Sequence, residues 1–362
     1  MKQKTTDILI VGAGPAGSSA ALAAVKKGVD VTVVDRRAVI GVPVRCAEAI
    51  PARLLGELNI GKDFVVQSVR GMKTILPVDD VKVSDAPGFI IHRDRFDQAL
   101  VREAEGAGAR FLLSTRAICL EGNDTIVVEG ETGRRFSIKA RIIIGADGPH
   151  SRVARWIGAA NPHLIPAVQV RMALVRPLEY TEVYLQPDIV AGYGWLFPKG
   201  DEANVGLGMK GGGTSIRKTL DLFVSRMIRE GKVKDGAYDT TGGWIPVGPA
   251  KKTVSHNILL AGDAAGQTHP ITGSGIFSAI TCGRFAGKAA ARAVLQQDLS
   301  LLETYDTAWQ DFFGDTLNRA FQRRQYMEEE WARFSEIIKS CWISYRAYYE
   351  DFNGTEHAGA AG

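Results

Sequence analysis

The first stretch whose residue types and spacing could do chemistry is a glycine-rich turn. The sequence GAGPAG places Gly12, Gly14 and Gly17 between an apolar run, DILIV, and a helical pattern. In a strand–turn–helix unit, such glycines permit a tight turn, let the backbone approach a pyrophosphate and let the helix pack closely. Asp35 ends the next apolar run, eighteen residues beyond Gly17, where its carboxylate can accept hydrogen bonds from both ribose hydroxyls. The spacing predicts a dinucleotide site that lacks a 2′-phosphate.

Two later stretches identify which dinucleotide is expected. RIIIGADGPHSRVAR (141–155) and NILLAGDAAGQTHPITGSGI (257–276) each place an aspartate, Asp147 or Asp263, at a turn after an apolar run. Both carboxylates are placed to meet sugar or polyol hydroxyls, and the second stretch opens a helix whose N-terminus can face a phosphate or a flavin carbonyl. A simple NAD enzyme needs no second glycine–acid turn about 250 residues beyond the first. FAD extends far from its adenosine, so the stretches favour FAD.

These turns require a sheet to position them. The apolar periodicity predicts a strand over 7–11, a helix over 15–27 and a strand over 29–35, then a helix over 93–107, strands over 111–144 and a strand over 257–261. AVQVRMAL, TEVYLQ, YGWLF and ANVGLG predict strands separated by polar turns. They are followed by an amphipathic helix over 215–230 with Ser215 as its cap, a helix from about 273, and helices after about 303.

This order predicts an α/β protein. We expect a Rossmann-type, glutathione-reductase-like FAD-binding domain formed by 1–70, 93–166 and 253–302. An inserted antiparallel-sheet substrate domain is predicted over 71–92 and 167–252, and a helical C-terminal segment over 303–362. The last six residues, HAGAAG, are predicted to be disordered.

Composition excludes several classes of protein. The net charge of +4 is too small to argue for nucleic-acid binding, and basic residues such as Arg323 and Arg324 are expected mainly on a solvated face, with anionic head groups as the alternative. The four cysteines are far apart, without a CxxC or Cys/His cluster, so no disulfide scaffold or metal site is predicted. A reducing, cytoplasmic location is expected, and no apolar run is long enough to cross a bilayer.

An aromatic strand offers a candidate substrate wall. Tyr193, Trp195 and Phe197 alternate before Pro198, and alternation on an extended strand places the three rings on one face. Such a pattern is common in a sheet core. Because this strand lies in a sheet inserted within a flavin domain, pocket lining is the favoured interpretation, and all four residues are predicted to bind substrate.

Three motifs resemble the geranylgeranyl reductase family, which belongs to the p-hydroxybenzoate hydroxylase-like flavoproteins. VPVRCAE (42–48) resembles that family's cysteine-containing flavin loop, YGWLFPKG (193–200) its Tyr-x-Trp-x-Phe-Pro motif, and THPITGSGI (268–276) its late flavin loop. The resemblance covers residues from about 7 to 300. Two departures are Asp35 and Ala49, where related sequences often carry Glu and Gly.

The resemblance implies a set of FAD contacts. They are Ala16, Asp35, Cys46, Ala47, Arg93, Ala117, Asp263, Gly275 and Ile276. With the glycine turns and the neighbouring residues, the predicted cofactor-binding set also includes Gly12, Gly14, Pro15, Gly17, Arg36, Arg45, Asp147, Gly262 and Gly273.

The resemblance also implies that reduced flavin saturates isolated prenyl double bonds. The implied substrate is a prenylated lipid, such as a geranylgeranyl glycerophospholipid, or a prenyl diphosphate, met at a membrane surface. NAD(P)H and a reduced ferredoxin both remain open as electron donors. Cys46, Tyr193, Trp195 and His269 are the predicted catalytic residues, with a plain packing role as the alternative for Cys46 and a surface-loop role for His269.

Two other functions remain open at this point. One is an FAD-dependent aromatic monooxygenase or halogenase, because flavin halogenases carry a Trp-x-Trp-x-Ile-Pro stretch that is similar to YGWLFP. The other is electron transfer to quinone, which is weakened because the sequence shows no cysteine set for an iron–sulfur cluster.

Overall fold

The computed structural model describes residues 3–77, 80–211, 215–236, 240–249 and 252–350. The predicted disordered HAGAAG tail lies outside these described residues. In chain order the strands are β1 (Gln3–Val11), β2 (Val31–Val34), β3 (Ala49–Pro51), β4 (Val65–Ile75), β5 (Val81–Ile91), β6 (Arg110–Leu112), β7 (Arg116–Glu121), β8 (Thr125–Glu129), β9 (Arg135–Gly145), β10 (Leu164–Ala173), β11 (Tyr180–Tyr184), β12 (Tyr193–Lys199), β13 (Glu202–Gly208), β14 (Thr240–Pro246), β15 (Val254–Ser255) and β16 (Ile258–Leu260).

The helices follow the predicted order closely. They are α1 (Pro15–Val25), α2 (Ala52–Gly56), α3 (Arg93–Gly106), α4 (Arg152–Trp156), α5 (Ile216–Arg229), α6 (Ile276–Gln296), α7 (Glu303–Glu329) and α8 (Phe334–Cys341). Ser215 does stand at the N-cap position of α5, but its side chain makes no capping hydrogen bond. Within the described residues, none of these helices is long and apolar enough to span a bilayer.

The first sheet is a nucleotide-type sheet. Its strands run in the order β15-β16-β9-β1-β2-β6, and the β7–β8 hairpin joins it through β9. β1 is parallel to both β2 and β9, so the turns after these strands open at one edge of the sheet. Ile8 and Ile10 pack beneath α1 and α6, whereas Leu9 faces the opposite layer with Ile143. The predicted α/β, Rossmann-type architecture is confirmed.

The second sheet is almost wholly antiparallel, in the order β14-β10-β13-β12-β11-β4-β5-β3, with β11 and β4 as its parallel pair. α5 covers one face, where Phe223 and Leu220 pack against Leu196 of β12. α7 and α8 cover another part of the sheet, around Val183 and Phe197. The C-terminal helices therefore bury the aromatic strand.

The sheets do not follow the predicted chain division at one point. The boundary at residue 70 falls inside β4, and β3 pairs with β5, so 49–51 and 65–70 belong to the second sheet. The reason is that β3 pairs with β5 about 40 residues later and β4 with β11 more than 100 residues later, and a local pattern reveals neither pairing. The consequence is that the loop that carries Cys46 leads directly into the second sheet. The two-domain division itself stays a prediction.

Candidate active site

The glycine turn after β1 is closed by backbone contacts. A methyl group added at Gly12 would overlap the carbonyl oxygen of Ala146, and one at Gly17 would overlap that of Gly12. At Gly14, the N-cap of α1, nothing lies within 4 Å of an added methyl group. No side chain in the described part of the chain caps α1, so its first N–H groups face this open cradle. Such a helix N-terminus suits a phosphate.

Asp35 is held rigidly at the end of β2. Its side chain is buried, and its Oδ2 and Oδ1 atoms accept hydrogen bonds from the backbone N–H groups of Ala13 and Arg37, both at 2.8 Å. Each oxygen keeps a lone pair for a ribose hydroxyl. The Arg37 guanidinium lies 3.8 Å from Oδ2, whereas the predicted Arg36 is exposed. Sequence reasoning missed Arg37, although its position two residues after an aspartate is a known turn signal.

Asp147 has local partners. Its Oδ1 accepts a hydrogen bond from Ser151 Oγ at 2.5 Å, and its Oδ2 accepts one from the Arg152 N–H at 2.6 Å. Burial raises the pKa of Asp147, and these bonds oppose that rise. Arg152 in turn donates to the carbonyl oxygen of Ala117 at 2.7 Å. The arrangement ties β7 to the turn after β9, and a direct FAD contact of Asp147 or Ala117 stays a prediction.

The late glycine turn lies beside the first one. A methyl group added at Gly262 would lie 2.9 Å from the Cβ atom of Ala16. Asp263 Oδ1 accepts a hydrogen bond from Thr268 Oγ1 at 2.7 Å. Burial raises the pKa of Asp263, against the opposing effects of Thr268 and Arg93. The uncapped N-terminus of α6, with Gly275 at the N-cap, opens next to this carboxylate.

Cys46 and Arg93 meet at this same place. Arg93 donates to Asp97 Oδ1 at 2.7 Å and is also hydrogen-bonded to the side chain of Cys46. Although burial opposes it, Asp97 and Cys46 raise the pKa of Arg93. The Cys46 thiol packs at the edge of an apolar cluster that contains Ile276. Ala47 follows Cys46 in the chain, Pro15 is buried at the first position of α1, and Arg45 is exposed.

The aromatic strand β12 faces the late glycine turn. The Tyr193 hydroxyl donates to the carbonyl oxygen of Thr272, and burial raises the pKa of that hydroxyl. The Trp195 indole donates from Nε1 to Gln169 Oε1 at 3.3 Å. The Tyr193 ring lies 5.9 Å from the Trp195 ring and 5.1 Å from the Trp342 ring of the C-terminal segment. Tyr193 and Trp195 thus share one face of the sheet.

The cavity at this face is small and mostly apolar. Its volume is about 10 Å³, which is enough for about one water molecule. Its wall includes Tyr193, Trp195, Ile245, Pro270, Ile271 and Arg324. Phe197 and Pro198 are absent from this wall: Phe197 packs with the C-terminal helices, and Pro198 pairs with Ala203 of β13. Their predicted substrate contacts stay predictions.

Arg323 and Arg324 correct an expectation drawn from the sequence. Both were expected on a solvated face, but their exposed fractions are 3% and 2%. Arg324 donates from Nε to Glu328 Oε1 at 2.5 Å, and Lys210 lies 2.9 Å from Glu328 Oε2. Burial lowers the pKa of Arg324. The ion pair with Glu328 explains how the charge is accommodated.

His269 supports the shape of the late turn. Its Nδ1 atom accepts hydrogen bonds from the backbone N–H groups of Ile271 at 3.3 Å and Thr272 at 3.2 Å. Burial lowers the pKa of His269 to about 4, so the ring is neutral at pH 7. These facts favour a role in shaping the turn, and proton donation by His269 stays a prediction. Gly273, in the same turn as His269, has a left-handed backbone conformation and lies beside the Tyr193 hydroxyl.

Comparison with known proteins identifies the family. The family profile described as FAD binding domain matches residues 5–175, and the one described as Geranylgeranyl reductase catalytic domain matches 165–239. Digeranylgeranylglycerophospholipid reductase 1 of Methanopyrus kandleri is 38% identical over 89% of this chain and 91% of its own length. The chain belongs to the geranylgeranyl reductase family. The digeranylgeranylglycerophospholipid reductase of Methanothrix thermoacetophila is 35% identical, over 88% of this chain and 87% of its own length.

Solved structures support the same assignment. A geranylgeranyl bacteriochlorophyll reductase-like protein from Thermoplasma acidophilum superposes with a TM-score of 0.82 at 28% identity, covering 91% of each chain. A flavin-dependent brominase reaches a TM-score of 0.72 at 16% identity, covering 93% of this chain and 90% of its own, and so shares only the fold. The predicted resemblance to the geranylgeranyl reductase family is confirmed.

The cofactor of this flavin-dependent reductase is FAD, and the described residues fit it. The open cradle at Gly14 suits a pyrophosphate, Asp35 suits a ribose, and the turn at Asp263 with the N-terminus of α6 suits the flavin end. The first glycine turn contacts Asp35 through Ala13 and the late turn through Ala16, so the pyrophosphate cradle lies between the ribose end and the flavin end, as FAD requires. The individual contacts of the predicted cofactor residues remain predictions.

Proposed function

We propose that this geranylgeranyl reductase saturates isolated C=C bonds in a geranylgeranyl or other polyprenyl chain carried by a glycerophospholipid. One observation carries the proposal: the Tyr193–Trp195 wall stands against the late flavin turn, in a chain 38% identical to a digeranylgeranylglycerophospholipid reductase. A prenyl diphosphate is the narrower alternative substrate. An apolar, aromatic wall suits a hydrocarbon chain, which offers no polar group to recognise.

The residues of the chain contribute orientation and a proton. Bound FAD, once reduced, supplies a hydride equivalent to one alkene carbon, and the other carbon takes a proton. Tyr193 and Trp195 orient the alkene and exclude water. The Tyr193 hydroxyl is committed to Thr272, so we propose Cys46 Sγ as the proton donor, because it lies at the meeting point of Arg93 and the late turn.

A prenyl chain needs more room than the cavity offers. The cavity of about 10 Å³ is closed partly by α7, through Arg324, and Trp342 covers Tyr193. We therefore propose that the C-terminal helices move aside when the lipid binds. Movements of this kind are common when a substrate must be enclosed.

We also propose that the protein works at the inner face of the cytoplasmic membrane, with NAD(P)H or a reduced ferredoxin as electron donor. The exposed Phe312 of α7 packs edge-to-face on Phe285 of α6, with ring centroids 6.1 Å apart, and gives an apolar contact for a membrane surface. Flotation with vesicles tests this contact. Phe312→Ser should reduce the bound fraction, and an unchanged fraction would remove this surface from the proposal.

The function is tested by mass spectrometry of lipids from cells that make a geranylgeranyl lipid and express this chain. We expect mass gains in steps of two hydrogens. Cys46→Ser should reduce the gain by about 100-fold or more, as expected for a lost proton donor, and Asp263→Ala should abolish it through FAD loss. Cys119→Ser is the matched control, because Cys119 is half-buried in β7, pairs with Val127 of β8 and has no contact with the Cys46 loop among its described partners. Unchanged lipids with FAD-loaded protein would contradict the proposal.

A further inference from the structure

A buried carboxylate, that of Glu48, stands two residues after Cys46. The side chain of Glu48 is 0% exposed. Its backbone φ is 68°, in the left-handed region that side-chain-bearing residues rarely adopt. A non-glycine residue keeps such a conformation only where its surroundings hold it firmly. The surroundings of Glu48 do so through both its side chain and its backbone.

The carboxylate joins two parts of the molecule. Glu48 Oε2 accepts hydrogen bonds from Lys199 Nζ at 2.5 Å, Asn204 Nδ2 at 3.0 Å and Arg171 Nη2 at 3.1 Å. These donors come from β12, β13 and β10 of the second sheet. Glu48 Oε1 accepts from the backbone N–H of Arg93 at 3.0 Å, at the first residue of α3. One carboxylate therefore fixes three strands against the helix that carries Arg93.

The backbone of the loop is held by the same strands. The Glu48 N–H donates to Cys46 Sγ at 3.2 Å. Gln169 Nε2 donates to the carbonyl oxygen of Cys46 at 2.9 Å, and Asn204 Nδ2 donates to that of Ala47 at 3.2 Å. Every residue from Cys46 to Glu48 is thus tied to the second sheet. Hydrogen bonds to buried charged groups are stronger than those between neutral groups. The Glu48 carboxylate is therefore the main group that holds the Cys46–Glu48 loop against the second sheet.

We propose that Glu48 is a positioning residue that fixes the Cys46 thiol relative to the aromatic wall. This inference rests on the proposed function for its catalytic meaning. Lys199, whose Nζ atom lies nearest to the Glu48 carboxylate, ends β12, the same strand that carries Tyr193 and Trp195. A displacement of the thiol by about 1 Å can cost up to about 100-fold in rate. Glu48 acts through Cys46 and does not itself touch the reacting atoms.

Cys46 alkylation in the FAD-loaded protein tests the positioning role without any substrate. Iodoacetamide is the probe, and the modified peptides are separated by mass spectrometry because Cys119 is also half-buried. We expect Glu48→Gln to raise the alkylation rate of Cys46 about tenfold, since losing charge-assisted bonds raises the population of the open loop. The alkylation rate of Cys119 should not change.

Glu182→Gln is the matched control. Glu182 of β11 is also buried and paired with a lysine, with Lys232 Nζ 2.8 Å from Oε1, but it has no contact with the Cys46 loop among its described partners. Glu182→Gln should lower the melting temperature of the protein, as Glu48→Gln does, but it should leave the alkylation rate of Cys46 unchanged. Equal alkylation of Cys46 in wild type, Glu48→Gln and Glu182→Gln would overturn the proposal.

A second variant covers the case in which Glu48→Gln does not fold. Asn204→Ala removes a neutral donor to both Ala47 and Glu48 and leaves no buried charge unpaired. It should also raise Cys46 alkylation, and an unchanged rate overturns the proposal. With a digeranylgeranyl lipid, Glu48→Gln should lower kcat by 10- to 100-fold and leave KM within about threefold. If wild type reduces no prenyl lipid, the proposed function fails, while the alkylation result still decides the role of Glu48.

Discussion

Asp35 is the residue on which FAD affinity should depend most directly. Its carboxylate accepts hydrogen bonds from the backbone N–H groups of Ala13 and Arg37, and each oxygen keeps a lone pair for a ribose hydroxyl. Asp35→Ala should weaken FAD binding by about 10- to 150-fold, which corresponds to the loss of 1.5–3 kcal/mol for hydrogen bonds to a charged group. Fluorescence titration of the apoprotein with FAD measures this. Asp30→Asn, at an exposed ion pair with Arg110, should leave the Kd within about twofold.

His269 gives the molecule a predicted pH dependence of stability. Because its pKa is lowered to about 4 in the folded state, the unfolded chain binds a proton near pH 6.5 before the native state does. The contribution of neutral His269 to the free energy of unfolding should therefore be fully present above pH 6.5. It should be lost between pH 6.5 and 4, by up to about 3 kcal/mol. In urea unfolding, the free energy of unfolding of His269→Gln should decrease less over this pH range than that of the wild type. Parallel pH profiles for the two proteins would contradict the assignment.

Residues whose role depends on local spacing could be predicted, and residues whose role depends on distant partners could not. Asp35 was found because its distance from the glycine turn is fixed by one βαβ unit. Glu48 was missed because its partners Arg171, Lys199 and Asn204 lie more than 120 residues away in the sequence. Arg324 was misplaced because its burial depends on a cavity wall formed by β12 and the late turn.

The packing of α6 on α1 is the element contact that places the two flavin turns together. Gly283 and Gly287 of α6 face the backbone of α1, and a methyl group added at Gly283 would overlap the carbonyl oxygen of Ala16. Gly283→Ala should therefore separate the helices, cost about 1–3 kcal/mol as an overpacked contact, and weaken FAD binding. Chemical unfolding and FAD titration measure the two effects.

Gly314→Ala is the matched control for Gly283→Ala. Gly314 also lies inside a helix, α7, where an added methyl group would make an ordinary 3.7 Å contact with Gln310 Cβ. Alanine there should stabilise the protein by up to about 1 kcal/mol, because glycine is the poorer helix former. Equal effects of the two substitutions would show that helix propensity, rather than the α1–α6 contact, controls stability.

At the level of elements, periodicity predicted most strands and helices but not all sheet partners. β12 and β13 appeared in the sequence as short alternating runs, and the hairpin that joins them is local. β4 has a local partner in β5, but its parallel pairing with β11 joins residues more than 100 positions apart, and β3 pairs with β5 about 40 residues later. The close contact of α6 with α1 was also missed, since Gly283 and Gly287 carry no local signal within a helical pattern.

The whole molecule brings the FAD end of the first sheet against the aromatic strand of the second. That architecture is shared with a flavin-dependent brominase at a TM-score of 0.72, so the fold by itself does not select a reaction. The choice depends on the site, where Tyr193 lines an apolar cavity that α7 helps to close, and where Cys46 interacts with both Tyr193 and Arg93. A reductase and an oxygenase should differ in which compound reoxidises the reduced protein.

Anaerobic reoxidation therefore tests the molecule as a whole. Chemically reduced, FAD-loaded protein should regain its oxidised flavin absorbance when a digeranylgeranyl glycerophospholipid is added without oxygen, because the alkene accepts the hydrogen equivalents. The saturated diphytanyl lipid of the same head group should leave the protein reduced. Trp195→Ala should slow the reoxidation by 10- to 100-fold, since the alkene loses its orienting wall. If the reduced flavin is instead reoxidised only by oxygen in the presence of an aromatic compound, the protein is an oxygenase. In that case oxygen, and not an alkene, accepts the electrons of the reduced flavin.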